Sequence, residues 1–358
     1  MLPLAIAFLG VTLTPSPMPS YSIGVDLGGT NLRIAAVDQQ GVLLKSINLN
    51  TKVTLGREHV VSDMCRAIQA LAAELRDAGS LLGIGIGVPG IIDMESGMVR
   101  ESPNLPDWAD FPVRNEIEKR LGARVILEND ANSAALGEKW LGAARDFDDM
   151  GMLTLGTGVG GGLVLGGRIW HGMSGMANEF GHITVDPAGT QCGCGNRGCL
   201  EAYASATAIM RMAHEAIGSG AAPGLARAAQ MNGDFSAKVS YNLAIQGDEP
   251  AQQIFRTVGR TLGIALSDLV NALNLPIYVV GGGVSGAWDV FSPSIFEELR
   301  KRSMVYAATA PDSSEASREG ASARVKPGGS SKTIITRALL GSDAGLYGAA
   351  RLPMIVAT

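Results

Sequence analysis

The chain has 358 residues, 46% of them hydrophobic, with 47 glycines and a formal net charge of −5. That length suits two domains, and the composition excludes a disordered chain. The acidic balance and the lack of any Lys/Arg cluster exclude a nucleic-acid surface.

Residues 1–20, MLPLAIAFLGVTLTPSPMPS, are apolar, but no Lys or Arg precedes the apolar run. They therefore lack the basic region of a secretory signal, and the run is too short to span a bilayer. They read as a disordered extension with Met18 as the true start, on a cytoplasmic protein with no membrane partner.

SIGVDLGG and NLRIAAVD then read as two strands around a glycine turn, and VLLKSIN as a third. In the next stretch Val61, Met64, Ile68, Leu71 and Leu75 recur at helical spacing, and Gly79 ends the helix. Cys65 lies beside that stripe and reads as a buried core thiol. LLGIGIGVPG is a continuous apolar strand, and a proline-bearing loop runs from it to Pro112. The helix VRNEIEKRLG, the strand ARVILEN and the helix DANSAALGEKWLG follow.

GMLTLGTGVGGGLVLGGRIW restarts the strand–glycine turn–strand pattern. Helices are expected at about 205–218, 221–231 and 238–246. A long one follows over 248–274, with Ile254, Val258, Leu262, Leu266, Leu269 and Leu273 on one face. PIYVVGGGVS gives a strand and a third glycine turn, with a helix after it. Alternating strands and helices argue for an α/β protein. Residues 308–332, rich in Ser, Ala, Gly and Pro, read as a mobile surface insertion.

Two stretches match G-x-G-x-x-G: Gly156–Gly158–Gly161 and Gly85–Gly87–Gly90. A dinucleotide fingerprint needs a helix directly after the loop, and neither match has one. No Gly-Lys-[Ser/Thr] occurs, so a P-loop is excluded as well. Glycine turns between paired strands still offer successive backbone N–H groups to an anion. Gly28, Gly29, Thr30 and Asn31 form one such turn, and Gly156, Thr157 and Gly158 a second. Gly282 and Gly283 belong to the third. Together they point to a nucleotide, with Asp26 placed to hold Mg²⁺ directly or through water.

GVDLGGTNLRIAAVD, LTLGTGVGGGLVLGGRI, EFGHITVDPAGTQCGCGNRGCLEAYAS and VVGGGVSG resemble the motifs of the ROK family, bacterial sugar kinases and repressors of the actin-like ATPase superfamily. The resemblance covers the chain from Tyr21 onward apart from the insertion. It implies a two-domain actin-like (ribonuclease H-like) α/β fold with ATP in the interdomain cleft. The small domain would be 21–138, with a C-terminal helix at about 343–358 packing on it. The large domain would be 139–342, carrying a zinc-bound loop at 179–203. A homodimer or homotetramer is also implied.

His182, Cys192, Cys194 and Cys199 are spaced H-x9-C-x-C-x4-C. Three thiolates and an imidazole form a closed tetrahedral zinc set. A disulfide would leave one cysteine over, and a DNA finger would need a basic recognition helix. In the family this motif binds structural zinc. The flanking Glu179 and Glu201 read, on residue type alone, as solvated loop residues. The resemblance makes them, with His182, sugar contacts, and adds Asn104, Asn129 and the backbone of Gly90.

Asp130 opens a helix, where an aspartate serves as an ordinary N-cap. The resemblance makes it the general base that takes the proton of the sugar hydroxyl. The expected function is ATP-dependent phosphorylation of a hexose 6-hydroxyl, glucose first. The alternatives are N-acetylmannosamine, fructose, mannose or allose as substrate, or a sugar-responsive regulator. The regulators carry a helix-turn-helix segment before the first glycine turn, and about twenty residues leave no room for it.

Overall fold

A computed structural model of the chain describes residues 20–102, 104–231, 235–311 and 332–356. The expectations for residues 1–19 and for the bulk of the insertion, 312–331, lie outside the described residues.

Two five-stranded sheets organise the molecule. In the first, β1 (Ser20–Leu27), β2 (Asn31–Asp38) and β3 (Leu43–Asn50) form an antiparallel meander. β4 (Ser80–Val88) and β7 (Val125–Asn129) add to β1 in parallel, giving the order β3-β2-β1-β4-β7. The second sheet uses β8 (Met150–Leu155), β9 (Val159–Leu165), β10 (Arg168–Ile169), β11 (Ile277–Gly281) and β12 (Ile334–Arg337). Its order, β10-β9-β8-β11-β12, repeats the first, with the same change from antiparallel to parallel pairing. The restart seen in the sequence is thus a repeat of topology. The proline-bearing loop holds a short hairpin that its residues did not announce, β5 (Ile91–Asp93) with β6 (Met98–Glu101).

Helices α1 (Arg57–Glu74) and α2 (Val113–Leu121) cover one face of the first sheet, where Ile23, Val25, Ile84 and Ile86 meet Met64, Cys65, Ile68 and Ile117. Cys65 is the buried core thiol expected of it. The opposite face explains the glycines. In β4, Gly83, Gly85 and Gly87 alternate with Ile84, Ile86 and Val88, so the small residues share a face. The C-terminal helix Ala344–Val356 lies close on that face. A Cβ on Gly85 would collide with the carbonyl of Ala349, and one on Gly24 with that of Leu346. Gly85 and Gly87 of the Gly85–Gly87–Gly90 match therefore belong to a period-two packing stripe.

Helix α3 (Asp130–Trp140) runs between the sheets, and its small residues let it touch neighbours on every side. Gly137 approaches the carbonyl of Ala344, and Gly348 that of Ser133. A Cβ on Gly160 would lie 2.8 Å from the Cβ of Ala131, and one on Gly162 2.6 Å from that of Ala135. Glu138, fully buried, accepts backbone N–H bonds from Ala143 (2.7 Å), Leu339 (3.1 Å) and Leu340 (2.7 Å). Residues 141–149 and 338–343 are the two crossings between the sheets, so one carboxylate ties both together.

The helical segment of the second half follows its expected order. It contains α4 (Glu201–Ala204), α5 (Ala206–Gly218), α6 (Pro223–Met231), α7 (Ala237–Ile245), α8 (Glu249–Leu273) and α9 (Trp288–Arg302), with α10 (Met304–Thr309) after them. The apolar face of α8 is buried except at Leu273, which is 37% exposed at the helix end. Asp248 caps α8, its side chain accepting from the backbone of Ala251 at 3.0 Å. Among the described residues no helix is long and apolar enough to cross a membrane.

Candidate active site

Asp130, Asn129, Gly90 and Glu179 line one pocket, together with Gly160, Gly161, Gly175 and Met176. Each is brought there by an element end. Asn129 closes β7 and Asp130 begins α3. Gly90 sits between β4 and the β5–β6 hairpin at φ 114°, where a side chain would strike the carbonyl of Glu101. Glu179 follows Asn178, whose carbonyl is packed against Gly161. Adjacent glycines of β9 therefore admit Asp130's helix on one face and Glu179's segment on the other. In the Gly156–Gly158–Gly161 match, Gly161 is therefore a packing glycine of β9, while Gly156 and Gly158 belong to the turn before it.

The cap of α3 is not Asp130 but its neighbour. Asn129 Oδ1 accepts from the backbone N–H of Ala131 (2.9 Å) and Asn132 (3.2 Å), and its Nδ2 donates to the carbonyl of Gly90 (3.2 Å). Asp130 Oδ1 accepts from Ala131 N at 2.9 Å. Burial, and then the nearby Asp26 carboxylate, push the Asp130 carboxyl up to about 6. Burial also raises Glu179, with Glu201 adding to the rise and His182 opposing it.

The first glycine turn, residues 28–30, joins β1 to β2. Thr51 anchors it: Thr51 Oγ1 donates to the Gly28 carbonyl at 2.6 Å, and Thr51 N to that of Thr30 at 2.8 Å. Asp26, at the end of β1, receives Arg33 on Oδ2 at 2.5 Å, and its Oδ1 faces Gly345. Asn104 is placed differently from expectation. It is exposed and backs the first glycine turn, its carbonyl 3.2 Å from where a Gly29 Cβ would stand, and it is not among the residues lining the Asp130 pocket.

The second turn, residues 156–158, joins β8 to β9 with the same length. It is held from the start of α5, where Ala206 N donates to Gly156 O and Thr207 Oγ1 to Thr157 O, both at 2.8 Å. Glu201 also reaches it: its Oε2 accepts from Val159 N at 2.8 Å. Glu201 thus links the cysteine loop to the glycine turn, a contact its sequence position did not suggest. Gly282, at φ 80°, packs on Leu155 at the end of β8, while nothing crowds Gly283 or Gly156. The second and third turns therefore meet at the same end of the second sheet.

The cysteine loop is a small closed structure. Cys192 N donates to Asn196 O at 2.8 Å and Gly195 N to Cys192 O at 3.1 Å, folding Cys192–Asn196 into a knuckle. At Gly198, φ 70°, a side chain would overlap the carbonyl of Asp186. The Nδ1 of His182 and the sulfurs of Cys192, Cys194 and Cys199 all lie within 4.8 Å of one another. Cys194 and Cys199 are 3.7 Å apart, as are Cys192 Sγ and His182 Nδ1. Zinc–sulfur bonds of about 2.3 Å in a tetrahedron require ligand edges of about 3.8 Å. The four donors fit a zinc ion in number, type and spacing, and the sulfur separation is far from a disulfide's. With Nδ1 turned to the cysteines, His182 Nε2 points toward Glu179, 4.0 Å away.

The sequence matches the ROK family over residues 22–353. It is 42% identical over 284 residues to a glucokinase of Thermotoga maritima, covering 79% of this chain and 87% of the relative. The fold superposes on a ROK hexokinase from Thermus thermophilus with a TM-score of 0.74 and 32% identity, covering 94% of this chain and 99% of the other. A ROK glucokinase from Streptomyces griseus, solved with glucose and AMPPNP, gives a TM-score of 0.72 at 34% identity, covering 93% and 98%. The architecture is the α/β fold of the actin-like sugar kinases, and the chain belongs to the ROK family.

Proposed function

We propose that this chain is an ATP-dependent hexokinase acting on the 6-hydroxyl of glucose, with Asp130 as general base. The observation that carries the reading is Asp130 itself. It is a half-buried carboxylate on the wall of a polar pocket, raised to about 6 and close to both Asp26 and Glu179. A sugar hydroxyl is a poor nucleophile. A carboxylate of that pKa is ionised at neutral pH and is a better proton acceptor than an ordinary one. The sugar oxygen bonds to the γ-phosphorus, its proton passes to Asp130, and ADP leaves with the electrons of the broken bond. The glucokinase and hexokinase relatives, one of them holding glucose and an ATP analogue, support glucose and ATP as the substrates.

The remaining roles follow from position. Glu179, Asn129, the Gly90 backbone and His182 Nε2 offer hydrogen bonds to sugar hydroxyls, with Asn104 and Glu201 entering as the cleft closes. The backbone N–H groups of residues 28–31 and 156–158 would cradle the phosphates, and Gly282–Gly283 leave room for the rest of the nucleotide. Asp26 would hold Mg²⁺, which neutralises phosphate charge when bound. His182, Cys192, Cys194 and Cys199 would hold a structural zinc, whose chemistry is to fix the loop. Residues 21–138 with the C-terminal helix, and residues 139–342, form the two domains that close on the substrates. Reduced thiols and ATP fit the cytoplasm.

Glu201 and Glu179 separate experimentally. Glu201→Ala removes a charged acceptor from Val159 N as well as a sugar contact. It should raise KM for both ATP and sugar by about 10-fold or more, since such a bond contributes roughly 1.5–3 kcal/mol. Glu179→Ala should raise KM for sugar alone. Steady-state kinetics with each substrate varied reads both.

A coupled assay of ADP release across glucose, N-acetylmannosamine, N-acetylglucosamine, fructose, mannose and allose tests the substrate. The highest kcat/KM is expected for glucose. A higher value for any other sugar reassigns the substrate, and no sugar-dependent ADP from any of them overturns the reading.

A further inference from the structure

A buried polar cluster runs from the pocket's Asn132 and Asn178 back to Glu128 and His171, which the proposed reaction does not use. Glu128, 2% exposed, immediately precedes Asn129 and Asp130. Its Oε1 accepts from Asn129 N at 2.9 Å and Asn132 Nδ2 at 3.1 Å. Its Oε2 lies 2.7 Å from His171 Nε2. Asn132 Oδ1 in turn accepts from Asn178 Nδ2 at 3.0 Å, which also donates to the Trp170 carbonyl at 2.8 Å. Asn178 sits at φ 74°, so the chain turns sharply there into Glu179.

Two walls of the pocket meet in this cluster. One is the β7–α3 corner that carries Asp130. The other is the loop 171–177, whose Gly175, Met176 and Ala177 line the pocket. That loop is pinched at its base by Ala177 N donating to His171 O at 3.3 Å. Beyond that pinch it packs at Gly175, where a Cβ would lie 2.9 Å from the Ile92 carbonyl, while Met173 is fully exposed and Met176 is 50% exposed. His171 and Asn178, at the two ends of the loop, both bond to the β7–α3 corner.

We infer that His171 is a positioning residue: with Glu128 it clamps loop 171–177 against the catalytic helix, holding that loop as one wall of the sugar pocket. The sugar part of the inference rests on the function proposed above; the clamp does not. A charged acceptor that is almost wholly buried needs its donor, because leaving it unpaired costs more than the bond is worth. The Glu128 carboxylate also raises the pKa of His171, favouring the form with a proton on each nitrogen.

His171 is half-buried at the loop base, so His171→Leu should fold. Hydrogen exchange in the ligand-free protein is expected to accelerate at amides 172–178 by about 10-fold or more, and to stay unchanged at 184–198 in the cysteine loop. KM for glucose should rise by a similar factor while KM for ATP holds. His171→Gln keeps a donor to Glu128 and should recover most of both effects. A double-mutant cycle with Glu128→Gln should show strong non-additivity in the exchange rates. Unchanged exchange at 172–178 in His171→Leu would overturn the clamp, whatever the kinetics. Faster exchange with an unchanged glucose KM would overturn its role in the sugar site. A wild-type chain that phosphorylates no hexose would overturn the proposed function, while the exchange measurement would still decide the clamp.

Discussion

Asp130→Asn is expected to lower kcat by about 10²–10⁴-fold, the usual range for a positioned general base, while glucose still binds. The same substitution should stabilise the folded protein. The Asp130 carboxyl is raised from 3.8 to about 6, chiefly because its charged form is buried. The folded state therefore holds that proton more tightly than the unfolded chain does. The associated stability is fully present below pH 3.8 and is lost as the pH rises through about 6, so at neutral pH the ionised group is a net cost. Removing the charge should return on the order of 2 kcal/mol, seen as a higher Tm at pH 7.5 that fades toward pH 4. For the wild type, kcat/KM should fall as the pH drops through about 6, as the base takes up a proton. A variant that is more stable and nearly inactive is the signature of a group strained for function. Near-full turnover in Asp130→Asn would end its assignment as the base.

Loss of zinc should have the second largest effect. Cys199→Ala removes a fully buried thiol from the proposed zinc set His182, Cys192, Cys194 and Cys199. Zinc measured by elemental analysis is expected to fall from about one per chain to near zero. Segment 184–198 has few apolar contacts of its own and is held by turns such as Cys192–Asn196 and by the crowded Gly198. Without the metal it should become sensitive to protease, because ligand binding and folding of such a loop are one process. The distant sheets should keep their structure. The loop carries His182 and leads directly into Glu201, so KM for glucose should rise by about 10-fold or more. The bond from Val159 N to Glu201 should carry part of the loss to ATP. An intact loop and unchanged glucose KM in verified zinc-free protein would show that the ion plays no positional role.

Much of this architecture was legible because its signals are local. A glycine turn between two β-branched runs announces itself, and so do three cysteines and a histidine within eighteen residues. What stayed hidden depends on partners far along the chain. The alternating glycines of β4 have no local meaning; their reason is a helix some 260 residues later that must lie on them. Asn129 and Asp130 are adjacent and both are good capping types, so only geometry could assign the cap to Asn129. Glu128 and Glu138 escaped notice because glutamate is exposed by default. A signal was present: α3 is built of Ala, Ser, Asn and Gly on every side, which argues that it is surrounded, and a glutamate there is a buried one. Glu201 was read as a sugar contact, while its bond to the second glycine turn depends on how the cysteine loop folds back on β9.

The central claim, phosphoryl transfer from ATP to the 6-hydroxyl of glucose, is tested most directly by ³¹P NMR of purified protein with ATP, Mg²⁺ and glucose. The expected spectrum shows one phosphomonoester, assigned to carbon 6 by its coupling to the two carbon-6 protons, growing in step with ADP. Inorganic phosphate in place of the ester, an ester on another hydroxyl, or unconsumed ATP would contradict the account.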